Sequence, residues 1–283
     1  MTVRLRQENL LNVERRLRQF RAEYDIHYAP VDCFRLVRQI REAGRIDLEL
    51  REAFNLSDAF DAKTYWFPDV QCYWIVTRRF RPDWKKYSPA RRINFTLAHE
   101  LGHIFLGHLA VPDILKSAAT MALEDMEADA FAARLLMPEE VIGQFCSVKE
   151  AADALWVSES AIRQRQMETG ILLKRRTCPG CGFSRIPAAA RFCRRCGLLL
   201  AKEPNPMEPP YITYLPPLEK ECFICGEPFR GGETECPCCL EPSRNMCEPE
   251  YNQPRHFAGT NTRFCETCGA RTRFSHQKDF RDG

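Results

Sequence analysis

Apolar residues recur every three to four positions in two segments near the start of the chain. Residues 4–24 are predicted to form a helix on this spacing. Its inward positions are Leu10, Val13, Leu17 and Phe20. Residues 30–43 have the same spacing and end before Gly44, a residue type that is common just past a helix end. Between residues 62 and 80 the pattern changes to an aromatic and β-branched run at 73–77, which predicts strands.

Helical spacing returns in a strongly apolar segment at residues 91–108. Its inward positions are Ile93, Leu97, Leu101, Ile104 and Phe105. Ser88 is predicted to be the N-cap, and Pro89 the first helical residue. Residues 124–138 predict another helix, which ends at its proline, and residues 148–170 predict two short helices joined by a turn.

Two histidines one helical turn apart lie within the apolar segment. His99 and His103 are four residues apart, so a helix places both imidazoles on one face, where they can hold one zinc ion. Glu100 lies between them and can reach the open side of the metal as a general base. The alternative is an amphipathic helix with two structural histidines and a solvated glutamate. The apolar surroundings count against that alternative, because unpaired polar groups are costly there.

The third zinc ligand is expected from the next predicted helix. Glu127 lies one and two turns before Phe131 and Leu135, so it shares their inward face. A carboxylate that faces a core needs a partner, and zinc is one. Glu124 is the second choice, and either residue can instead be a solvated carboxylate near a helix start. His108 is out of step with the metzincin spacing of a third histidine and is expected to be a surface or helix-end histidine.

The segments FTLAHELGHIFLGH and EADAFAARLLMP together resemble the ImmA/IrrE family of bacterial metallo-endopeptidases. The resemblance covers roughly the first 170 residues. It implies a zincin-like fold in which His99, His103 and Glu127 bind zinc and Glu100 is the catalytic base. It also implies a protein substrate, since members of this family cleave transcriptional repressors. One departure is Asp129, where many relatives carry Asn.

Length, charge and apolar runs narrow the class of protein. The 283 residues predict about two domains, and the net charge of +3 does not require a nucleic-acid partner. The first residues lack the apolar core of a signal peptide, and no apolar run is long enough to span a bilayer. The expected location is therefore the cytoplasm, without membrane association. Fifteen cysteines in a cytoplasmic chain favour metal binding over disulfides.

Twelve of the fifteen cysteines lie at or after position 178. The first group comprises Cys178, Cys181, Cys193 and Cys196. These residues make two Cys-x-x-Cys pairs, each followed by a glycine that permits a tight turn. Four thiolates at this spacing predict a zinc ribbon that holds one structural zinc ion. Cys33, Cys72 and Cys146 are isolated and are predicted to be core thiols.

A second group of cysteines follows a proline-rich stretch. Its paired members are Cys222, Cys225, Cys236, Cys239, Cys265 and Cys268. The first four can form one site, with the last pair completed by Cys238, Cys247 or His256. Alternatively, the first pair binds together with the last pair, and the middle cysteines form another site. Sequence does not decide between these pairings, so one to three structural zinc ions are expected beside the catalytic one.

These patterns predict an α+β fold with a zincin-like peptidase core of helices on a small sheet. The predicted segments are the core (1–147), a helix-turn-helix-like segment (148–176), a zinc ribbon (177–200), a proline-rich linker (201–218) and a second cysteine-rich zinc module (219–283). In the helix-turn-helix-like segment, Arg163, Gln164 and Arg165 would contact DNA if it read bases. A brace that packs on the core is favoured, because a fold does not establish function.

The function expected from the sequence is zinc-dependent hydrolysis of a peptide bond in a protein, most simply a transcriptional repressor of a mobile element or stress operon. The alternative is a regulatory DNA- or protein-binding zinc-ribbon protein with a non-catalytic peptidase scaffold. An intact His-Glu-x-x-His favours the enzyme. DNA binding remains open but is not favoured, because zinc ribbons serve protein, DNA and RNA contacts alike.

Overall fold

The structure is a computed structural model of the 283-residue chain. It describes residues 5–53, 61–78, 88–173, 175–187, 190–201, 212–216, 218, 220–222, 225–229, 233–249, 255–259 and 262–276. The chain divides into two compact units. Unit 1 comprises residues 1–139 and 151–170, and unit 2 comprises residues 140–150 and 171–283. The five predicted segments stay a prediction.

The fold class is α+β, as predicted from the sequence. The helices are α1 (Gln7–Glu23), α2 (Cys33–Ala43), α3 (Ser88–Leu106), α4 (Ala118–Leu136), α5 (Glu139–Ile142), α6 (Val148–Leu155) and α7 (Glu159–Thr169). The strands are β1 (Tyr28–Ala29), β2 (Asp47–Ala53), β3 (Ala62–Phe67), β4 (Cys72–Arg78), β5 (Arg175–Arg176), β6 (Ile186–Pro187) and β7 (Thr213–Tyr214). Within the described residues, no helix is both long and apolar enough to cross a membrane.

A three-stranded sheet in the order β2-β4-β3 lies beside α3 in unit 1. Strands β2 and β4 are parallel, whereas β3 and β4 are antiparallel and joined by a short turn. The aromatic run predicted to form strands pairs across this turn, with the Trp66 and Tyr73 rings 4.3 Å apart. Strand β3 is therefore an edge of the sheet, and it contacts α3.

Aromatic rings join α1, α3 and α4 into the core of unit 1. The Phe20 ring lies 4.4 Å from Phe105 and 5.5 Å from Phe131, measured between centroids. Helices α3 and α4 approach closely at Gly102, where an added Cβ would lie 3.1 Å from the Ala128 Cα. The glycine therefore lets α4 pack directly against the turn that carries the two predicted histidine ligands.

Local sequence signals account for both ends of α2. Asp32 caps α2 by accepting hydrogen bonds from two backbone amides, and Gly44 closes it with φ of 63°. Helix α3 begins at Ser88, one residue earlier than predicted, and α4 begins six residues before the predicted Glu124. The sequence analysis did not predict strand β2, although the start of its sequence DLELREA alternates charged and apolar residues as strands do. The core positions predicted for Cys33, Cys72 and Cys146 are confirmed, since all three thiols are buried.

The two short helices predicted after the core are confirmed as α6 and α7. The Ser158 hydroxyl caps α7 by accepting from the Ala161 amide at 3.1 Å. Arg165, one of the residues predicted to contact DNA, is 3 % exposed and donates to the Met137 carbonyl and the Glu139 carboxylate. The contacts of Arg165 therefore hold α7 against the rest of unit 1.

Unit 2 is built from short turns around cysteines. Strands β5 and β6 form a small hairpin, and an apolar cluster beside it contains Ile186, Ala190 and two of the cysteines. The predicted linker 201–218 falls mostly outside the described residues.

Candidate metal centres

Helix α3 brings His99 and His103 together as predicted from their spacing. Their Nε2 atoms face each other at 3.0 Å. Both rings are mostly buried, with side-chain exposures of 20 % and 15 %. Two nitrogens bound to one tetrahedral zinc at roughly 2.0–2.1 Å lie about 3.4 Å apart, so this pair fits one ion with little adjustment.

Asp125 of α4, rather than Glu127, lies with the two histidines. His99, His103 and Asp125 each offer one ligand atom, and these three atoms lie within 4.8 Å of one another. The distance from His103 Nε2 to Asp125 Oδ1 is 3.5 Å. A tetrahedral site with two imidazoles and one carboxylate leaves one open position, which is the donor set of catalytic zinc sites. The residues present therefore fit a zinc ion.

The two glutamates predicted as third ligands make other contacts. Glu127 accepts a hydrogen bond from Asn9 Nδ2 at 2.5 Å, and its other oxygen lies 3.1 Å from His108 Nε2. Glu124 accepts from Lys116 at 2.7 Å. Glu127 shares the apolar face of Phe131, as the helical repeat predicts, but its carboxylate contacts Asn9 and His108. The Asp125 side chain is largely exposed, so a search for inward-facing carboxylates does not find it. Its position one helical turn before Asp129 is the sequence feature that could have indicated it.

Asp129 and His108 occupy the Nδ1 sides of the two candidate ligands. His99 Nδ1 lies 2.8 Å from Asp129 Oδ1, and His103 Nδ1 lies 3.0 Å from His108 Nδ1. Burial acts to lower the pKa of His99, but the hydrogen bond and charge of Asp129 outweigh it and raise the pKa. Burial, together with the charges of His99 and His108, lowers the pKa of His103 to about 3. Burial also lowers the pKa of His108, with Glu124 and Glu127 opposing it.

Glu100 lies on the same helix and is 7 % exposed. Its Oε2 accepts a hydrogen bond of 2.6 Å from the Thr64 hydroxyl on β3. Burial raises the pKa of Glu100, and the Thr64 hydrogen bond partly opposes that rise. A buried carboxylate with a raised pKa is suited to receive a proton and pass it on.

A cleft opens beside His99 and Glu100, between α3 and the start of β3. Its other lining residues are Asp61, Ala62, Arg92, Phe95, Thr96 and Asp129. An ion pair between Arg92 and Asp61 joins the two walls. The cleft therefore presents one candidate ligand, His99, the Glu100 carboxylate and the start of β3 to the same space.

The structure assembles the first predicted ribbon. Cys178, Cys181, Cys193 and Cys196 offer four sulfurs within 4.8 Å of one another. Burial acts to raise the pKa of the Cys178 thiol, but hydrogen bonds from the Cys181 and Gly180 amides outweigh it and lower the pKa to about 7. Four thiols in this arrangement fit a closed tetrahedral zinc site.

The structure separates the distal cysteines into two further groups. The first is Cys222, Cys225, Cys236 and Cys239, and the second is Cys247, His256, Cys265 and Cys268. The first of the pairings left open by the sequence is therefore the one observed, and Cys247 and His256 complete the last pair. Cys238 is exposed and lies outside both groups. Each group has the four donors of a structural zinc site.

The first and third groups interlock through matching turns, Arg-Phe-Cys-x-x-Cys-Gly in both cases. A Cβ at Gly197 would lie 2.9 Å from the Phe264 ring, and a Cβ at Gly269 would lie 2.7 Å from the Phe192 ring. The Arg194 guanidinium makes two hydrogen bonds to the Glu266 carboxylate, at 2.8 and 2.9 Å. The two sites therefore share one packed interface within unit 2.

Leu240 is the exception among the residues that close the cysteine turns. Gly226 closes the first turn of the second group with φ of 74°, whereas Leu240 closes the second turn with φ of 62°. Leu240 is 71 % exposed, so its side chain adds little packing to offset the backbone strain. Leu240→Gly is expected to stabilise unit 2 by up to about 1 kcal/mol in chemical denaturation of the zinc-loaded protein.

The matched control is Gly226→Ala. The added Cβ at Gly226 would meet no atom within 4 Å, so the change tests backbone conformation alone. It is expected to destabilise unit 2 by about 1 kcal/mol. Changes of the same sign in both variants would contradict the role given to the positive φ.

One family model matches part of this chain, in the segment that contains His99, His103 and Asp125. Residues 85–166 match the peptidase family model described as the IrrE N-terminal-like domain. A solved structure of a Mycobacterium tuberculosis transcriptional regulator is 16 % identical, with a TM-score of 0.39. The similarity covers 66 % of this chain and 68 % of that one. A search of curated proteins finds no match. The matched residues supply a metallopeptidase-like scaffold, and they end before the first cysteine pair.

Proposed function

We propose that this protein is a zinc-dependent endopeptidase that cleaves a protein substrate. The observation that carries the proposal is a cluster of ligand atoms from His99, His103 and Asp125, in which the histidine Nε2 atoms face each other at 3.0 Å. The cleft beside His99 is also lined by Glu100, whose carboxylate is buried. The match to a peptidase family model over the same residues supports it. A regulatory protein with a non-catalytic scaffold would not require a buried, hydrogen-bonded glutamate at this point.

In this proposal His99, His103 and Asp125 hold the zinc ion, and Glu127 remains the alternative third ligand. When bound, zinc would supply Lewis acidity toward a carbonyl oxygen and a water molecule. Glu100 receives a proton from the attacking water and delivers it to the leaving amine. The Thr64 hydroxyl holds the Glu100 carboxylate in place, and Asp129 fixes the orientation of the His99 ring.

The edge of β3 is the element best suited to hold an extended peptide. It is an outer strand of the sheet and its Thr64 contacts Glu100, so a peptide paired with its backbone would pass close to the candidate metal ligands. Because such pairing engages backbone groups, it accepts many sequences, and additional recognition has to come from elsewhere in the protein. We propose that unit 2, with three structural zinc sites, contributes to capture of the substrate.

A transcriptional repressor is the proposed substrate. The test is co-expression with DNA-binding repressors encoded beside this gene, followed by sequencing of any new fragment. The expected result is one internal cut that depends on Glu100 and is lost when zinc is chelated. Intact repressors together with a metal-loaded, folded protein would favour the regulatory alternative.

Asp125→Asn is expected to lower the zinc content of the full-length protein from four ions per chain to three. The four ions correspond to the four ligand groups of the described residues. Asparagine removes the negative oxygen that zinc prefers but keeps the side-chain size. Metal analysis of the purified protein measures the change.

Glu127→Gln provides the contrast, because the Gln oxygen can still accept a hydrogen bond from His108. If Asp125 is the third ligand, Glu127→Gln retains four ions. The reverse pattern, with one zinc ion lost in Glu127→Gln and none in Asp125→Asn, would make Glu127 the ligand.

Thr64→Val is expected to move the acidic limb of the pH–rate profile toward higher pH. The Thr64 hydrogen bond favours the carboxylate form of Glu100, so its removal raises the pKa further. A base with a higher pKa becomes protonated, and therefore inactive, at a higher pH. The control is Thr96→Val, because Thr96 lines the same cleft but donates to the Arg92 carbonyl of its own helix. A shift of the limb toward lower pH would contradict the assignment of Glu100.

A further inference from the structure

We propose that His108 and Glu127 are positioning residues that fix the proton arrangement of His103 for metal binding. The inference rests on the proposed function with Asp125, and not Glu127, as the third ligand, because it concerns the same metal site. Its starting observation is that His103 Nδ1 faces a second histidine and not a carboxylate or a carbonyl oxygen. In most zinc sites, one of those oxygens receives the proton on the outer nitrogen of the ligand.

The distances define one continuous chain of polar groups. His103 Nδ1 lies 3.0 Å from His108 Nδ1, and His108 Nε2 lies 3.1 Å from Glu127 Oε2. Asn9 of α1 donates to the remaining Glu127 oxygen at 2.5 Å. The chain therefore runs outward from the metal site through two rings to a carboxylate that is itself hydrogen-bonded.

Only one placement of protons satisfies every contact of this chain with neutral rings. His103 must offer an unprotonated Nε2 to the metal, so its proton is on Nδ1 and is donated to His108. His108 must then accept at Nδ1 and carry its own proton on Nε2, which it donates to Glu127. The carboxylate of Glu127 cannot donate and is the acceptor that ends the chain. Glu127 thus selects the tautomer of His103 without touching it, through the ring of His108 that lies between them.

Burial and backbone contacts hold this arrangement in place. The side chains of His108 and Glu127 are only 7 % and 12 % exposed, so water competes weakly for their hydrogen bonds. Lys116, with a side chain 3 % exposed, donates to the His108 carbonyl at 2.8 Å and anchors the backbone of that residue. His99 is held differently, by direct contact with Asp129. Both candidate histidine ligands are thus oriented by carboxylates from α4: His99 directly by Asp129, and His103 by Glu127 through His108.

The test uses cobalt(II) in the full-length protein with its cysteine sites loaded with zinc. Cobalt at the histidine site absorbs in the visible region and lacks the near-ultraviolet band of thiolate-bound cobalt. His108→Leu is expected to weaken cobalt binding about 10- to 100-fold, the usual effect of losing an outer partner of a metal ligand. His108→Gln restores an acceptor oxygen for His103 and is expected to bind within about threefold of the native protein.

A second pair of variants keeps the proposal testable if His108→Leu fails to fold. Glu127→Leu should weaken cobalt binding, whereas Glu127→Gln should preserve it. Independently, nitrogen NMR of the native protein should show that the His108 ring carries its proton on Nε2. His27→Leu is the control, because His27 pairs with Asp25 away from the metal centre. Native-like affinity in the Leu variants, or equal losses in the Leu and Gln variants, overturns the positioning role. Absence of cobalt binding by the native protein would overturn the metal site itself.

Discussion

Glu100→Gln is expected to reduce peptide-bond hydrolysis about a hundred- to ten-thousandfold while leaving zinc bound. The Gln side chain keeps the size of Glu and can still accept the Thr64 hydrogen bond. It cannot take a proton from water, so the step assigned to Glu100 is removed without a change in shape. Zinc is retained because the group that fits the metal consists of His99, His103 and Asp125. Cleavage of the co-expressed repressor and zinc analysis of the same preparation measure both parts.

Glu14→Gln is the matched control for this variant. Glu14 lies on α1 and pairs with Arg134 through a contact with no part in the metal centre. The control is expected to cleave like the native protein. Native rates in Glu100→Gln would show that Glu100 is not the base, and loss of zinc would show that it supports the metal directly.

The sequence was sufficient to predict the helix that carries the histidines, but it does not indicate which carboxylate lies beside them in the structure. The positions of His99 and His103 follow from the helical repeat, which is a local property. The choice among Glu124, Asp125 and Glu127 depends on how α4 is rotated where it crosses α3 at Gly102. That rotation is set by packing between helices, so it is not visible in the periodicity of α4 alone.

For the cysteines too, the local turns could be predicted from the sequence, but the long-range grouping of those turns into sites could not. Each Cys-x-x-Cys turn was readable, since two residues fix its geometry. Which turns combine was not readable, because His256 lies nine residues from both Cys247 and Cys265 and belongs to no Cys-x-x-Cys pair. Strand β2 was also missed, because its pairing with β4 is parallel and joins segments about 25 residues apart.

Cys265→Ser is expected to remove the zinc ion of the third cysteine group and to loosen the first group as well. Zinc binding to small sites of this kind supplies on the order of 10 kcal/mol of folding free energy, so loss of one thiolate unfolds its own turn. The Phe264 ring packs on Gly197, and the Arg263 and Phe264 amides donate to the Arg194 carbonyl at 2.9 and 3.0 Å. When the turn at Cys265 unfolds, those contacts with the first group are lost. Zinc analysis should show at least one ion fewer per chain, and alkylation followed by mass spectrometry should show faster reaction at Cys178 and Cys193.

Cys225→Ser separates this coupling from the simple loss of a zinc ion. Cys225 is an exposed member of the second group, which does not contribute to the interlocked turns around Phe192 and Phe264. It should also lose one zinc ion, but Cys178 and Cys193 should stay as protected as in the native protein. The difference between the two variants therefore measures the shared interface and not the metal. If both leave Cys178 and Cys193 equally protected, the first ribbon is stable by itself, and the packing of Phe264 on Gly197 contributes little to it.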